Sequence, residues 1–268
     1  MPFVGRARVV LALLAVGLAV PALARDDRDP LARARQLYNQ RQFDGAIAAA
    51  DQARTTPTLA DAADLLAARA LLERFRVAAA ADDLVRARTR LARLDPQKLQ
   101  PADRIEFLVG LGESLYLDHL YGAAAELFGS LLTKPDVPAG EARERMLDWW
   151  AAAVDRDAKP RASFERPAYY QRIRQRMQDE LGQRPGSSAA AYWAAAAAHG
   201  QGDVEGAWSA AQAGWVRASL APDHGVALRA DLDKLVRDAV IPDRSKALGQ
   251  PADVLKAEWE RYTTAWQR

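Results

Sequence analysis

The sequence predicts an all-α chain, an α-solenoid of about five antiparallel helix pairs with C-terminal capping helices. Three observations lead there. Alanine, leucine and arginine dominate long stretches, and these residues favour helix. Apolar residues recur three and four positions apart rather than in alternation. Prolines stand between the stretches, at Pro57, Pro96, Pro101, Pro135, Pro138, Pro185, Pro222, Pro242 and Pro251, where a missing backbone donor starts or stops a helix.

Residues 1–24 are expected to be an export signal. Arg6 and Arg8 form a short positive start, Val9 to Val20 is an apolar run, and Pro21-Ala22-Leu23-Ala24 supplies the small residues of a peptidase site, with cleavage expected after Ala24. The run is shorter than the roughly 20 apolar residues of a spanning helix, so no stable membrane span is expected after cleavage. Removing this segment takes away two basic residues and no acid, which leaves equal numbers of basic and acidic residues. That balance argues against a nucleic-acid partner. The chain has no cysteine, so disulfides, a lipid on an N-terminal cysteine and a thiol nucleophile are all excluded. The destination read from these features is periplasmic or secreted.

Residues 25–139 hold the first three repeats. The first, from about Pro30 to Pro57, centres on Phe43-Asp44-Gly45-Ala46, with Ala50 and Ala53 on the same face. The second, Asp61 to Pro96, carries Leu84, Ala87, Leu91 and Leu94 at the same spacing. The third, Pro101 to Pro135, is the clearest: Leu111-Gly112, Leu115, Tyr121, Ala124, Phe128 and Leu131. Residues 140–186 read as a degenerate pair, Gly140–Asp155 and Ala168–Leu181, separated by an inserted loop from Lys159 to Pro167. Residues 187–268 supply a fourth clear copy, Ser187 to Ser219, with Val204, Ala207, Ala211 and Gly214. Two capping helices follow, near Val226–Val240 and Ala252–Trp266. In each clear copy a small residue (Ala46, Ala87, Ala124, Ala207) lets two helices approach, and the bulky residue before it (Phe43, Leu84, Tyr121, Val204) fills the wedge to the next pair.

This pattern resembles the tetratricopeptide repeat (TPR), a helix-turn-helix unit of about 34 residues. Gly112, Tyr121, Ala124 and Phe128 carry the likeness best, and the second copy carries it least. The uneven spacing of Phe43, Leu84, Tyr121 and Val204 also suits a longer helical repeat of the HEAT type. The resemblance implies a concave face lined by the first helix of each pair. In that register it receives Arg28, Arg35, Tyr38 and Asn39, then Arg69 and Arg76, then Glu106, Glu113 and Tyr116, then Tyr192 and His199. A face running from basic to acidic to aromatic suits a protein or peptide partner.

Chemical motifs are absent. His119, His199 and His224 have no metal-ligand spacing, and no nucleophile turn or phosphate loop occurs. No catalytic residue, cofactor or metal is therefore expected. The expected role is a non-enzymatic scaffold in the cell envelope. The alternative is an envelope enzyme or carbohydrate-binding factor with its site near the inserted loop and the tryptophan-rich half. Trp149, Trp150, Trp193, Trp208, Trp215, Trp259 and Trp266 read as core, since pairs such as Trp208 and Trp215 share one helix face.

Overall fold

A computed structural model describes residues 29–134 and 140–267. The export signal, its cleavage site and Arg28 lie outside the described residues. Among those described there is no strand, and the fold is all-α. Five helix hairpins follow one another: α1 (Pro30–Asn39) with α2 (Phe43–Ala53), α3 (Ala60–Ala78) with α4 (Ala81–Leu91), α5 (Pro101–Leu117) with α6 (Tyr121–Leu132), α7 (Glu141–Ala158) with α8 (Arg166–Gln183), and α9 (Ser188–Gly200) with α10 (Val204–Arg217). A closing unit comprises α11 (Val226–Leu235), a π-helical segment (Val236–Val240), α12 (Ile241–Leu248) and α13 (Ala252–Ala265).

Pro242 was expected to end a helix near Val240. Instead the helix continues to Leu248, with the π segment immediately before the proline. The wider turn accommodates a residue that has no N–H and whose ring would clash with the preceding turn. Pro30, Pro101 and Pro167 each stand in the first turn of a helix, where the missing donor costs nothing, while Pro135 and Pro138 lie outside the described residues.

The hairpin turns reveal the repeat in backbone terms. Arg41, His119 and Gly202 each stand two residues before a second helix, and each has a positive φ (59°, 63° and 84°). In all three turns the next N–H reaches back five residues, Gln42 to Leu37, Leu120 to Leu115 and Asp203 to Ala198, each at 2.9 to 3.0 Å. This is the helix-ending hydrogen bond that satisfies an otherwise orphaned carbonyl. The α3–α4 turn is tighter and pivots on Ala79 at φ 52°. The α7–α8 connection is the inserted loop.

First helices pack on first helices: α1 on α3, α3 on α5, α5 on α7, α7 on α9 and α9 on α11. Each second helix instead packs on its own partner and on the next first helix, as α2 does on α3, α6 on α7 and α8 on α9. The approach points are the predicted alanines, since Ala46, Ala87, Ala124 and Ala207 are all fully buried. Trp150, Trp208, Trp215 and Trp259 are core residues as expected, whereas Trp266 is half exposed at the end of α13. Buried carboxylates tie the N-terminal pairs together. Asp64 on α3 accepts from Arg54 at 3.0 Å and from Arg90 on α4 at 2.8 Å, and Asp83 on α4 accepts from Arg74 on α3 at 2.8 Å.

Gly112 marks the tightest point of the clear hairpin, because a Cβ there would come within 2.7 Å of the fully buried Phe128 ring. Gly112→Ala is expected to lower stability by about 1–3 kcal/mol. Gly182→Ala, in a helix with open space around it, is expected to raise stability by about 0.4–1 kcal/mol. Urea midpoints of the two variants should move in opposite directions.

Candidate functional site

The candidate site is the face made by α1, α3, α5 and α7. The spacing of seven that links Arg69 to Arg76 and Glu106 to Glu113 brings each pair to one side of its helix. Arg69 leaves α3 with its guanidinium over the Tyr38 ring of α1, 5.0 Å from the centroid, and forms an ion pair with Glu106 of α5. Its side chain is only 13% exposed, and its Nε is buried with no hydrogen-bond partner. Arg69 is thus enclosed by its neighbours rather than presented to solvent.

Glu113 lies one helical stripe further along α5 and is buried. Burial raises its carboxyl pKa from 4.5 to about 7, with Arg69 opposing the shift, Glu73 adding to it, and Arg76 and Arg145 also opposing. A cavity of about 20 Å³ lies beside it, lined by Arg69, Glu106, Glu113, Arg145 and Trp149. That is room for about one water, far short of the roughly 300 Å³ and more of a small-molecule pocket.

Arg76 reaches from α3 over the ring of Trp149 on α7, 5.0 Å from its centroid. Tyr116 of α5 packs edge-on against the same tryptophan at 4.7 Å. Arg76 thus bridges α3 and α7 across the side chains of α5. Past Trp149 the surface becomes acidic and aromatic. Asp148 accepts the Trp193 indole N–H at 2.8 Å, and Tyr192 stands edge-on to Trp193 at 5.5 Å. Asp231, Asp148 and Asp155 all add to the effect of burial in raising the Tyr192 pKa.

Six of the residues named from the sequence thus come together: Tyr38, Arg69, Arg76, Glu106, Glu113 and Tyr116. Arg35 and Asn39 are exposed, and the cluster does not include them. Tyr192 lies on α9, beside the acidic part of the face. His199, near the end of α9, places Nε2 3.0 Å from Asp243 of α12 and so ties the last hairpin to the closing unit. Sequence reasoning missed Arg145, Asp148 and Asp155, which with Trp149 form one stripe of α7. Their spacing of three and seven residues was the available signal. The aromatics of the inserted-loop region do not surround a pocket: Tyr170 is buried and donates to Asp155 at 3.1 Å, and Arg161 covers the Tyr169 ring at 4.6 Å. No group of three or more histidine, aspartate or glutamate side chains among the described residues could hold a metal ion, and no described helix is long and apolar enough to cross a membrane.

The Glu113 shift has a defined sign in stability. A carboxyl whose pKa is higher in the folded than in the unfolded chain favours folding most below about 4.5, and that advantage is lost as pH rises to about 7. Replacing it by glutamine, which stays neutral, should remove this loss. The stability difference between the Glu113→Gln variant and the parent should grow by roughly 1–3 kcal/mol between pH 4.5 and 7.5 in favour of the variant. Urea denaturation at several pH values measures it, and a flat difference would contradict the burial argument.

No protein-family model matches the chain, and no curated protein or solved structure is significantly similar to it.

Proposed function

We propose that this protein is an exported helical-repeat scaffold of the tetratricopeptide type that holds a protein or peptide partner against its first-helix face. One observation carries the reading: successive first helices touch one another and build a continuous surface. On it the exposed charges sort from basic, Arg76 and Arg145, to acidic, Asp148 and Asp231. Half-buried Tyr116 and Tyr192 and the largely buried Trp149 lie along the same surface. Aromatic side chains give contact area at low entropic cost, and the charge gradient orients an extended partner. The repeated turn geometry of the first, third and fifth hairpins and the fully buried alanines at the approach points support the repeat assignment. The absence of cysteine and the tripartite start of the sequence support export to the envelope.

Because Arg69 is enclosed by Tyr38 and Glu106, reversing its charge would damage the fold and could not report on binding. Arg76 and Arg145 are exposed, so the double variant Arg76→Glu/Arg145→Glu tests the face itself. It should retain its urea midpoint to within about 1 kcal/mol of stability while losing roughly tenfold or more in capture of the parent protein's envelope partners. Equal capture by parent and variant, quantified by mass spectrometry, would remove the face from the account. N-terminal sequencing of the secreted or periplasmic protein should begin at Arg25.

A further inference from the structure

A second cavity, of about 850 Å³, opens between the second helices α6 and α8. It shares no lining residue with the first-helix face. Its floor is Trp150, adjacent in sequence to Trp149 but turned about 100° around α7. Trp150 is 1% exposed, and its indole N–H is buried with no hydrogen-bond partner. A Cβ built on Gly129 of α6 would stand 3.2 Å from that nitrogen and 3.7 Å from a guanidinium nitrogen of Arg172. The glycine thus lets α6 lie close to the indole edge and Arg172, where a methyl group would crowd the indole nitrogen.

Two guanidiniums flank the same ring, with Arg172 5.7 Å and Arg176 5.4 Å from its centroid. Arg143, also at the cavity wall, is engaged by Glu180 through two hydrogen bonds of 2.9 Å. Arg176 has no such carboxylate among the described residues, and its hydrogen bond to the Gly129 carbonyl is long, at 3.4 Å. Burial and then the charge of Arg143 push its pKa down, with Arg172 adding to the effect and Glu180 and Asp179 opposing it, so Arg176 faces charges of both signs and pairs with none of them. Arg172 does meet a carboxylate, Glu126 at 2.9 Å, but Glu126 is 73% exposed at the rim and can be exchanged. Asp179 is likewise exposed, where solvent screens it. Indole and guanidinium groups only donate hydrogen bonds. The indole and Arg176 lack a charged acceptor, and Arg172 holds one only at the exposed rim.

We propose that the cleft between α6 and α8 binds an oxyanion, the carboxylate or phosphate of a small-molecule ligand, through the Trp150 indole N–H and the Arg172 and Arg176 guanidiniums. Charge-assisted bonds of this kind are the strong ones, and arginine's planar fork matches both oxyanions. The cleft is large enough for the ligand body that carries the group.

The test follows the tryptophan indole N–H resonances of the ¹⁵N-labelled protein during titration with sodium phosphate and, separately, sodium glutarate, with ionic strength held constant by chloride. Trp150→Phe identifies the relevant resonance by its loss. At least one anion should move that resonance in a saturable way, and which of the two does so distinguishes phosphate from carboxylate. Arg172→Gln/Arg176→Gln should weaken the response by roughly tenfold or more. Gly129→Ala is the second variant, in case the double variant fails to fold. It crowds the indole nitrogen while favouring helix, and it should weaken the titration to a similar degree. If neither anion moves the resonance, or if the shift is unchanged in whichever variants fold, the site is overturned.

Discussion

Everything in this structure depends on how closely two helices can approach at an alanine. With no disulfide and few large side chains, the chain gains burial by bringing helix backbones together rather than by filling a wide core. Ala46, Ala87, Ala124 and Ala207 have no exposed surface; Ala46, Ala124 and Ala207 lie in the first turn of a second helix where the hairpin closes, and Ala87 lies in the middle of α4. Dispersion contacts fall off steeply with small gaps, so a larger side chain at these points would loosen the hairpin and move the next first helix with it. The candidate face is built entirely from first helices. Its shape is therefore set by side chains that never appear on it.

Charge plays two different parts in the molecule. On α2, α3 and α4 the buried carboxylates Asp64 and Asp83 are met by arginines from neighbouring helices, and in the middle of the chain Arg143 and Arg184 meet Glu180. The arginines hold Glu180 at about 2, against the opposing effect of burial, so that pair strengthens the fold at every pH above the acid range. Glu113 is the reverse. It is buried among groups of both signs and close to none of them, and its carboxyl favours the neutral form well toward neutrality. The first arrangement fastens elements together; the second leaves a polar group whose needs the fold does not meet.

The architecture was legible in the sequence because it rests on local rules. Small residues at fixed spacing, prolines in first turns and the aromatic positions of Gly112–Phe128 are all properties of one helix or one turn. The clustering of Arg69, Arg76, Glu106 and Glu113 was legible too, since residues seven apart on a helix keep their common direction whatever packs around them. Arg145, Asp148 and Asp155 were not assigned to the same face, because the degenerate pair lacks the aromatic-to-small signature that set the register of the other copies, although their helical spacing was visible. The ion-pair clamps were also hidden. Asp64 inside the apolar stretch Ala63–Leu72 was a visible irregularity, but its partners Arg54 and Arg90 lie on other elements, and nothing in the sequence joins them. Pro242 failed as a stop for a related reason: packing of Val236, Val240 and Ile241 into the C-terminal core outweighs a local preference, and the backbone adapts with a π turn.

The places where a protein tolerates incomplete satisfaction are informative, since every unmet buried polar group costs stability that selection or packing must offset. Two such groups lie on α7 or against it. Arg69 Nε lies beneath the first-helix face near Trp149, and Trp150 Nε1 lies at the floor of the opposite cleft. Other indoles and guanidiniums differ among themselves: Trp193 and Trp259 reach Asp148 and Asp233, each at 2.8 Å, whereas in the C-terminal core Trp215 Nε1 and Arg229 Nε are likewise buried without a partner. Open groups are therefore not a mark of a surface by themselves. What sets α7 apart is that it carries Trp149 on one side and Trp150 on the other, so a shift of this helix would disturb the first-helix face and the opposite cleft together.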